Sequence, residues 1–153
     1  MKLAEALLLR ADLQKKLESL RTRIDKNTRV QEGETPSEDP QVLIEQSLEL
    51  CRKLQKLVFE INEANLTGRT SQSRSLTEAL AERDGMIQQH SILGSAASSA
   101  TQPADRYGLK EIRWLKTVDV AKLQSDADEL AEAIRGVNVE IQEANWLIEL
   151  KEY

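Results

Sequence analysis

A single cysteine and a single histidine close off most of the chemistry that side chains gather for. Cys51 has no second thiol to bridge, so an internal disulfide is excluded and a reducing compartment suits the chain. His90 alone supplies neither a Cys/His zinc spacing nor the two Glu-x-x-His motifs of a ferritin-like dimetal centre. No glycine-rich phosphate loop and no nucleophile elbow occurs along the chain. Aromatics make up 3%, beside 6 Gly and 3 Pro, whereas charged residues reach 31%. That balance favours long helices with charged faces over a sheet-rich fold.

The net charge of −5 argues against broad binding of nucleic acid or anionic membranes, which rests on a basic surface. The local run Arg106, Lys110, Arg113 and Lys116 is accompanied by Asp105 and Glu111 and reads as a solvated face. Long apolar runs are missing as well. Glu5 and Arg10 interrupt the N-terminal leucines before they reach the length of a signal-peptide core, and the uncharged stretch 85–104 is full of Ser, Gln and Gly. The expectation is one helical domain over residues 1–153, cytoplasmic and without a membrane span.

Apolar residues recur at alternating three- and four-residue steps from Leu3 to Asn27, which predicts the first helix. Gly33 to Pro40 is turn-rich, and Asp39 before Pro40 is an N-cap followed by a first-position proline. The second helix starts there with a stripe of Leu43, Ser47, Leu50, Leu54, Leu57, Ile61 and Ala64, widened by Ile44, Cys51, Val58 and Asn65. On this reading Cys51 is a small core residue and no activated thiolate. Ser75-Leu76-Thr77-Glu78 has the form of a capping box and opens a third helix to about Leu93. A mobile linker follows at about 94–108, then a short strand at Ile112–Val118, and Asp119 caps a fourth helix from 120 to about 150. Trp114 and Trp146 are expected as core or interface anchors.

Two peptides nearly repeat: EINEANL at 60–66 and EIQEANW at 140–146, eighty positions apart. The same shift lays Leu43 on Leu123 and Ile61 on Ile141, and L-x-E-A-L-x-x-R recurs at Leu3 and Leu76. The implied architecture is mainly α. It is an antiparallel four-helix bundle of two similar helix–strand–helix halves, about 3–66 and 76–147, with a small β-ribbon pairing about 28–32 with 112–117.

The repeated polar residues are the candidate site. Antiparallel closure carries Glu5 toward Asn62 or Asn65, and Glu78 toward Gln142 or Asn145, with Arg10 and Arg83 further in on the same stripe. One reading is structural, since buried Asn fixes helix register and Glu–Arg pairs satisfy each other. The other is a cation site in which Glu5, Glu78, Asn65 and Asn145 offer oxygen ligands to Mg²⁺, Mn²⁺ or Ca²⁺, backed by Arg10, Arg83, Asn62 and Gln142. No catalytic residue is named, and an enzyme is not expected.

The segments MKLAEALLLRADLQKKL, RVQEGETPSEDP, RYGLKEIRWLKTVDV and EIQEANW together resemble a small bacterial family known as septicolysin-like, of otherwise unknown function. The resemblance spans nearly the whole chain. It implies a compact, oligomeric helical protein of bacterial cytoplasm. The family name also suggests a membrane-active cytolysin, which the residues oppose: neither an apolar helix nor an amphipathic hairpin of spanning length is present. The leading expectation is therefore a homo-oligomeric helical scaffold or binding protein, with the hard-metal or small-ligand site as the alternative.

Overall fold

The computed structural model describes residues 1–102 and 114–151. Four long helices dominate: α1 Leu3–Asn27, α2 Pro40–Thr67, α3 Leu76–Thr101 and α4 Val120–Leu147. The chain divides into two compact units, Met1–Ser75 with Gln142–Tyr153, and Leu76–Ile141.

In the first unit α1 and α2 pack antiparallel. Leu20, Leu43 and Leu50 are buried together, with Leu13, Leu17 and Ile24 against them, so the three- and four-residue stripes of both helices meet as their spacing predicts. Burying a leucine contributes roughly 1.5–3 kcal/mol, and this seam therefore dominates the stability of the hairpin. Asp39 starts α2 as expected, its carboxylate accepting from Gln41 N at 2.8 Å with Pro40 in the first turn.

The crossover between α1 and α2 is pinned by Asn27, which is 6% exposed. Its amide nitrogen donates to Arg23 O at 2.9 Å, and its oxygen accepts from Ser37 Oγ at 2.9 Å and Glu38 N at 3.0 Å. Arg23 and Glu38 form an ion pair beside it, with Nε to Oε2 at 2.9 Å. That hydrogen bond raises the Arg23 pKa and holds the Glu38 carboxyl below its ordinary value.

The expected β-ribbon is not formed by the described residues. Thr28 closes α1 in a helical conformation, its N–H bonded to Ile24 O at 3.0 Å, and Glu34 N reaches Gln31 O at 3.0 Å in a turn. Gly33, at φ 90°, takes the left-handed position of that turn, which a side chain resists. Local hydrogen bonds thus claim Thr28 N–H and Gln31 O, at the start and near the end of the segment 28–32 expected as a strand. Residues 114–117 are exposed and, among the described residues, have no strand partner, and Trp114 is 81% exposed. The remainder of the expected strand, with residues 103–108 of the expected linker, lies outside the described residues.

Residues 94–101 are helical rather than part of a linker. Ala96, Ala97 and Ala100 have the strongest intrinsic helix preference, Ala97 is buried, and Thr101 Oγ1 bonds back to Ala97 O at 3.0 Å. In the second unit Asp119 caps α4 through Lys122 N at 3.0 Å. Leu76, Ala79 and Ile141 are buried there.

Two short backbone ties complete the first unit. Leu3 N donates to Ile148 O at 2.9 Å and Leu150 N to Met1 O at 3.0 Å, making an antiparallel bridge between Lys2 and Glu149. Arg69 and Ser75 form a second such bridge, around a turn in which Thr70 N meets Arg74 O at 2.8 Å. The Arg69 guanidinium also donates to Leu66 O at 3.1 Å and Gly68 O at 3.2 Å, placing its charge on the negative end of α2.

Candidate functional site

The first unit holds six of the eight residues of the expected polar cluster. Glu5, in the first turn of α1, accepts from Lys2 N through its carboxylate at 2.7 Å and so closes its own helix. Arg10 is half-buried further along α1. Asn65 is half-buried and Asn145 buried at 8% exposure, each in the last turns of its helix, whereas Asn62 and Gln142 are exposed. Glu78 and Arg83 belong to the second unit. Arg83 is engaged by Asp84, with Nη2 to Oδ1 at 2.7 Å. Among the described residues no group of three or more His, Cys, Asp or Glu side chains is placed to hold a metal ion. No helix of the described residues is long and apolar enough to cross a membrane.

A shallow groove lies along the α1–α2 seam, lined by Lys16, Leu20, Gln46, Glu49, Leu50 and Lys53, with a volume of about 120 Å³. That is well below the ~300–1,000 Å³ of a typical small-molecule site. Two lysines and one glutamate line it. Glu49 is held below its usual carboxylate range chiefly by the Lys53 hydrogen bond, then by the charges of Lys53, Arg52 and Lys16.

The side of α2 turned away from α1 is the less expected surface. Leu48, Phe59 and Leu66 are 53%, 61% and 62% exposed. At about 100° per residue they fall on one line along the helix. Cys51 is exposed beside that line, which corrects its assignment to the core. The physical reason is coverage. One partner helix occludes a stripe roughly 100° wide, and an apolar face broader than that leaves its far edge in solvent. Trp146, expected as an anchor, is 56% exposed for its part. The eleven- and seven-residue steps from Leu48 to Phe59 to Leu66 were the available signal, overlooked because the more regular Leu43 stripe accounts for the same helix.

Comparison with known proteins places the chain in one family without assigning it a role. A crystal structure described as that of a functionally unknown conserved protein from Corynebacterium diphtheriae is 32% identical, with 99% of each chain covered and a TM-score of 0.89. No curated protein matches. Neither the family nor the solved structure bears the septicolysin-like name. Residues 10–150 match the family of unknown function DUF6847, to which this chain belongs.

Proposed function

We propose that the chain is a self-associating helical scaffold or binding protein. The observation that carries this reading is the line of Leu48, Phe59 and Leu66, each more than half exposed on one side of α2. Soluble monomers seldom leave aligned large apolar side chains in water, and such lines mark surfaces that meet another protein. Size-exclusion chromatography with light scattering tests it: a mass of two or more chains is expected at micromolar protein. A single-chain mass would overturn it.

The same reading treats the chain as a duplicated helical hairpin. In its support, α2 and α4 are each 28 residues long with bounds eighty apart, and Leu3 and Ala6 match Leu76 and Ala79 in burial, all four at 0–1% exposure. The two bridges correspond too, Lys2 with Glu149 and Ser75 with Arg69, at those same two sequence shifts.

A second reading keeps a cation site at Glu5, Glu78, Asn65 and Asn145, and the observation in its favour is the burial of the Asn145 amide at a helix end. Thermal shift in millimolar Mn²⁺, Mg²⁺ and Ca²⁺ tests it, because an ion held only by the folded chain raises the melting point. An unchanged melting point in all three would remove this reading.

A further inference from the structure

We infer that the outward face of α2 is a two-fold dimer interface, on which a second copy of the chain lays its own α2 antiparallel with the symmetry axis beside Cys51. This rests on the self-association proposed above and names the surface that performs it.

The seam begins with Ile44, Leu48 and Cys51 at steps of four and three, and Phe59 and Leu66 continue it two and four turns on. This is the spacing with which one helix packs along another. Ile44 is half-buried and the others are exposed, and in a pair with its axis beside Cys51 the partner's α2 lies along the line from Ile44 to Phe59, with Leu66 beyond the partner's Pro40. Apolar side chains alone do not choose an occupant. The charges do.

Along one border of the seam stand Glu45, Glu49, Arg52 and Lys56, at steps of four, three and four, all exposed. The first half of the border is acidic and the second basic. In a two-fold antiparallel pair each border faces its own copy read backwards, so Glu45 meets the partner's Lys56 and Glu49 meets the partner's Arg52. Symmetry makes every such pair twice. Sliding the copies by seven residues brings Arg52 toward the partner's Lys56 or Glu45 toward the partner's Glu49, and a parallel pair turns this border toward the partner's opposite border, where Ile44, Cys51 and Val58 leave its charges unmatched. The border is therefore self-complementary in one direction and one register, a form of selection that acts by repulsion of the alternatives.

Pairs already formed along α2 do not compete strongly. Lys53 holds Glu49 at 2.6 Å and Lys56 reaches Glu60 at 3.7 Å, with three of these four side chains more than 60% exposed. The exposed Lys53–Glu49 pair is weak in water, and a carboxylate has two oxygens to share. Positions eighty further along give the contrast. Asp128 stands where α2 has Leu48, and the border reads Ser125, Glu129, Glu132 and Gly136. An antiparallel copy of that border sets acid against acid, so α4 does not offer the same interface.

Cys51 is exposed and is the only thiol in the chain, which makes the native protein its own reporter. A short bis-maleimide added to the unmodified chain is expected to yield a covalent dimer through Cys51 on a denaturing gel, alongside a two-chain mass by light scattering. Glu45→Lys is expected to raise the dimer dissociation constant about tenfold. Adding Lys56→Glu to the same chain exchanges the charges of that pair and restores the dimer. Circular dichroism checks that the helices persist, as exposed positions allow. A two-chain mass without a Cys51 cross-link overturns this face and leaves self-association standing. A double variant no tighter than Glu45→Lys overturns the register. A monomeric native chain overturns both proposals.

Discussion

Helices α2 and α4 share a length, a way of starting and a way of stopping, and then differ on the side turned to solvent. Both follow an aspartate whose carboxylate accepts from the first turn, Asp39 from Gln41 N at 2.8 Å and Asp119 from Lys122 N at 3.0 Å. Both close on an alanine carbonyl, Gly68 N to Ala64 O at 2.8 Å and Ile148 N to Ala144 O at 2.9 Å. Ile61 and Ala64 are buried in one, Ile141 and Ala144 in the other. Outward, Leu48, Arg52 and Lys56 of α2 stand against Asp128, Glu132 and Gly136 of α4. Shared residues thus cap and bury each helix, whereas the differing ones alter what its surface can meet. On the proposed reading, this is the pattern of a hairpin kept twice with a recognition surface carried by one copy.

The comparison is broken most forcefully in the core. Ile61 and Ile141 are 1% and 4% exposed, so truncation of either to alanine removes the same buried atoms and should cost ~2–5 kcal/mol. Chemical denaturation of Ile61→Ala and Ile141→Ala measures this, and a loss confined to one of them would show that matched burial does not mean matched energy.

A smaller effect is expected where the helix ends diverge. A Cβ built on Gly68 meets Ile148 Cδ1 at 2.5 Å and Ala64 O at 2.6 Å. The isoleucine tip can rotate away, but the carbonyl belongs to the helix, so Gly68→Ala should cost ~1–3 kcal/mol. Ile148→Ala in the same chain removes only the first clash and should recover part of the loss in melting temperature. Full tolerance of Gly68→Ala would mean that the end of α2 is as permissive as that of α4, which carries a side chain at the corresponding place.

Helix positions were legible because the chain states them twice over, in periodicity and in caps. Asp39-Pro40 and Asp119 stop and start the backbone by hydrogen bonds between near neighbours, which sequence order alone specifies. The end of α3 was misread at Gly94, since the alanines beyond it extend a helix that the serines and glycine seemed to close. The ribbon depended on a pairing remote in sequence, and Thr28 N–H and Gln31 O found local partners instead. Asn27 was seen only as a stripe residue. Its three hydrogen bonds to Arg23, Ser37 and Glu38 exist because the crossover loop folds back, and no spacing announces that. Glu5 was legible as a polar residue on a helix start but not in its use, which is to close that start through Lys2 N.

The smallest effect separates the two backbone ties. Lys2 Nζ lies 2.7 Å from Glu149 Oε1, and the carboxyl is held below its ordinary range by that hydrogen bond, then by the charges of Lys2 and the N-terminal amine. A carboxyl whose folded pKa lies below its unfolded value contributes stability that is complete above the unfolded value and is lost as pH falls through the folded one. Acid should therefore loosen the bridge between Lys2 and Glu149. The bridge between Arg69 and Ser75 has no carboxylate in either residue. Hydrogen exchange reads both: protection of the Leu3 and Leu150 amides should fall in acid while that of Thr70, bonded to Arg74 O at 2.8 Å, holds. The side chains of Lys2 and Glu149 are 39% and 70% exposed, so the change should be modest and smaller still in high salt. Glu149→Gln should make the Leu3 protection less sensitive to pH over the carboxylate range. Parallel loss at Thr70 would mean that acid loosens the whole unit, and the two ties would then differ in sequence without differing in response.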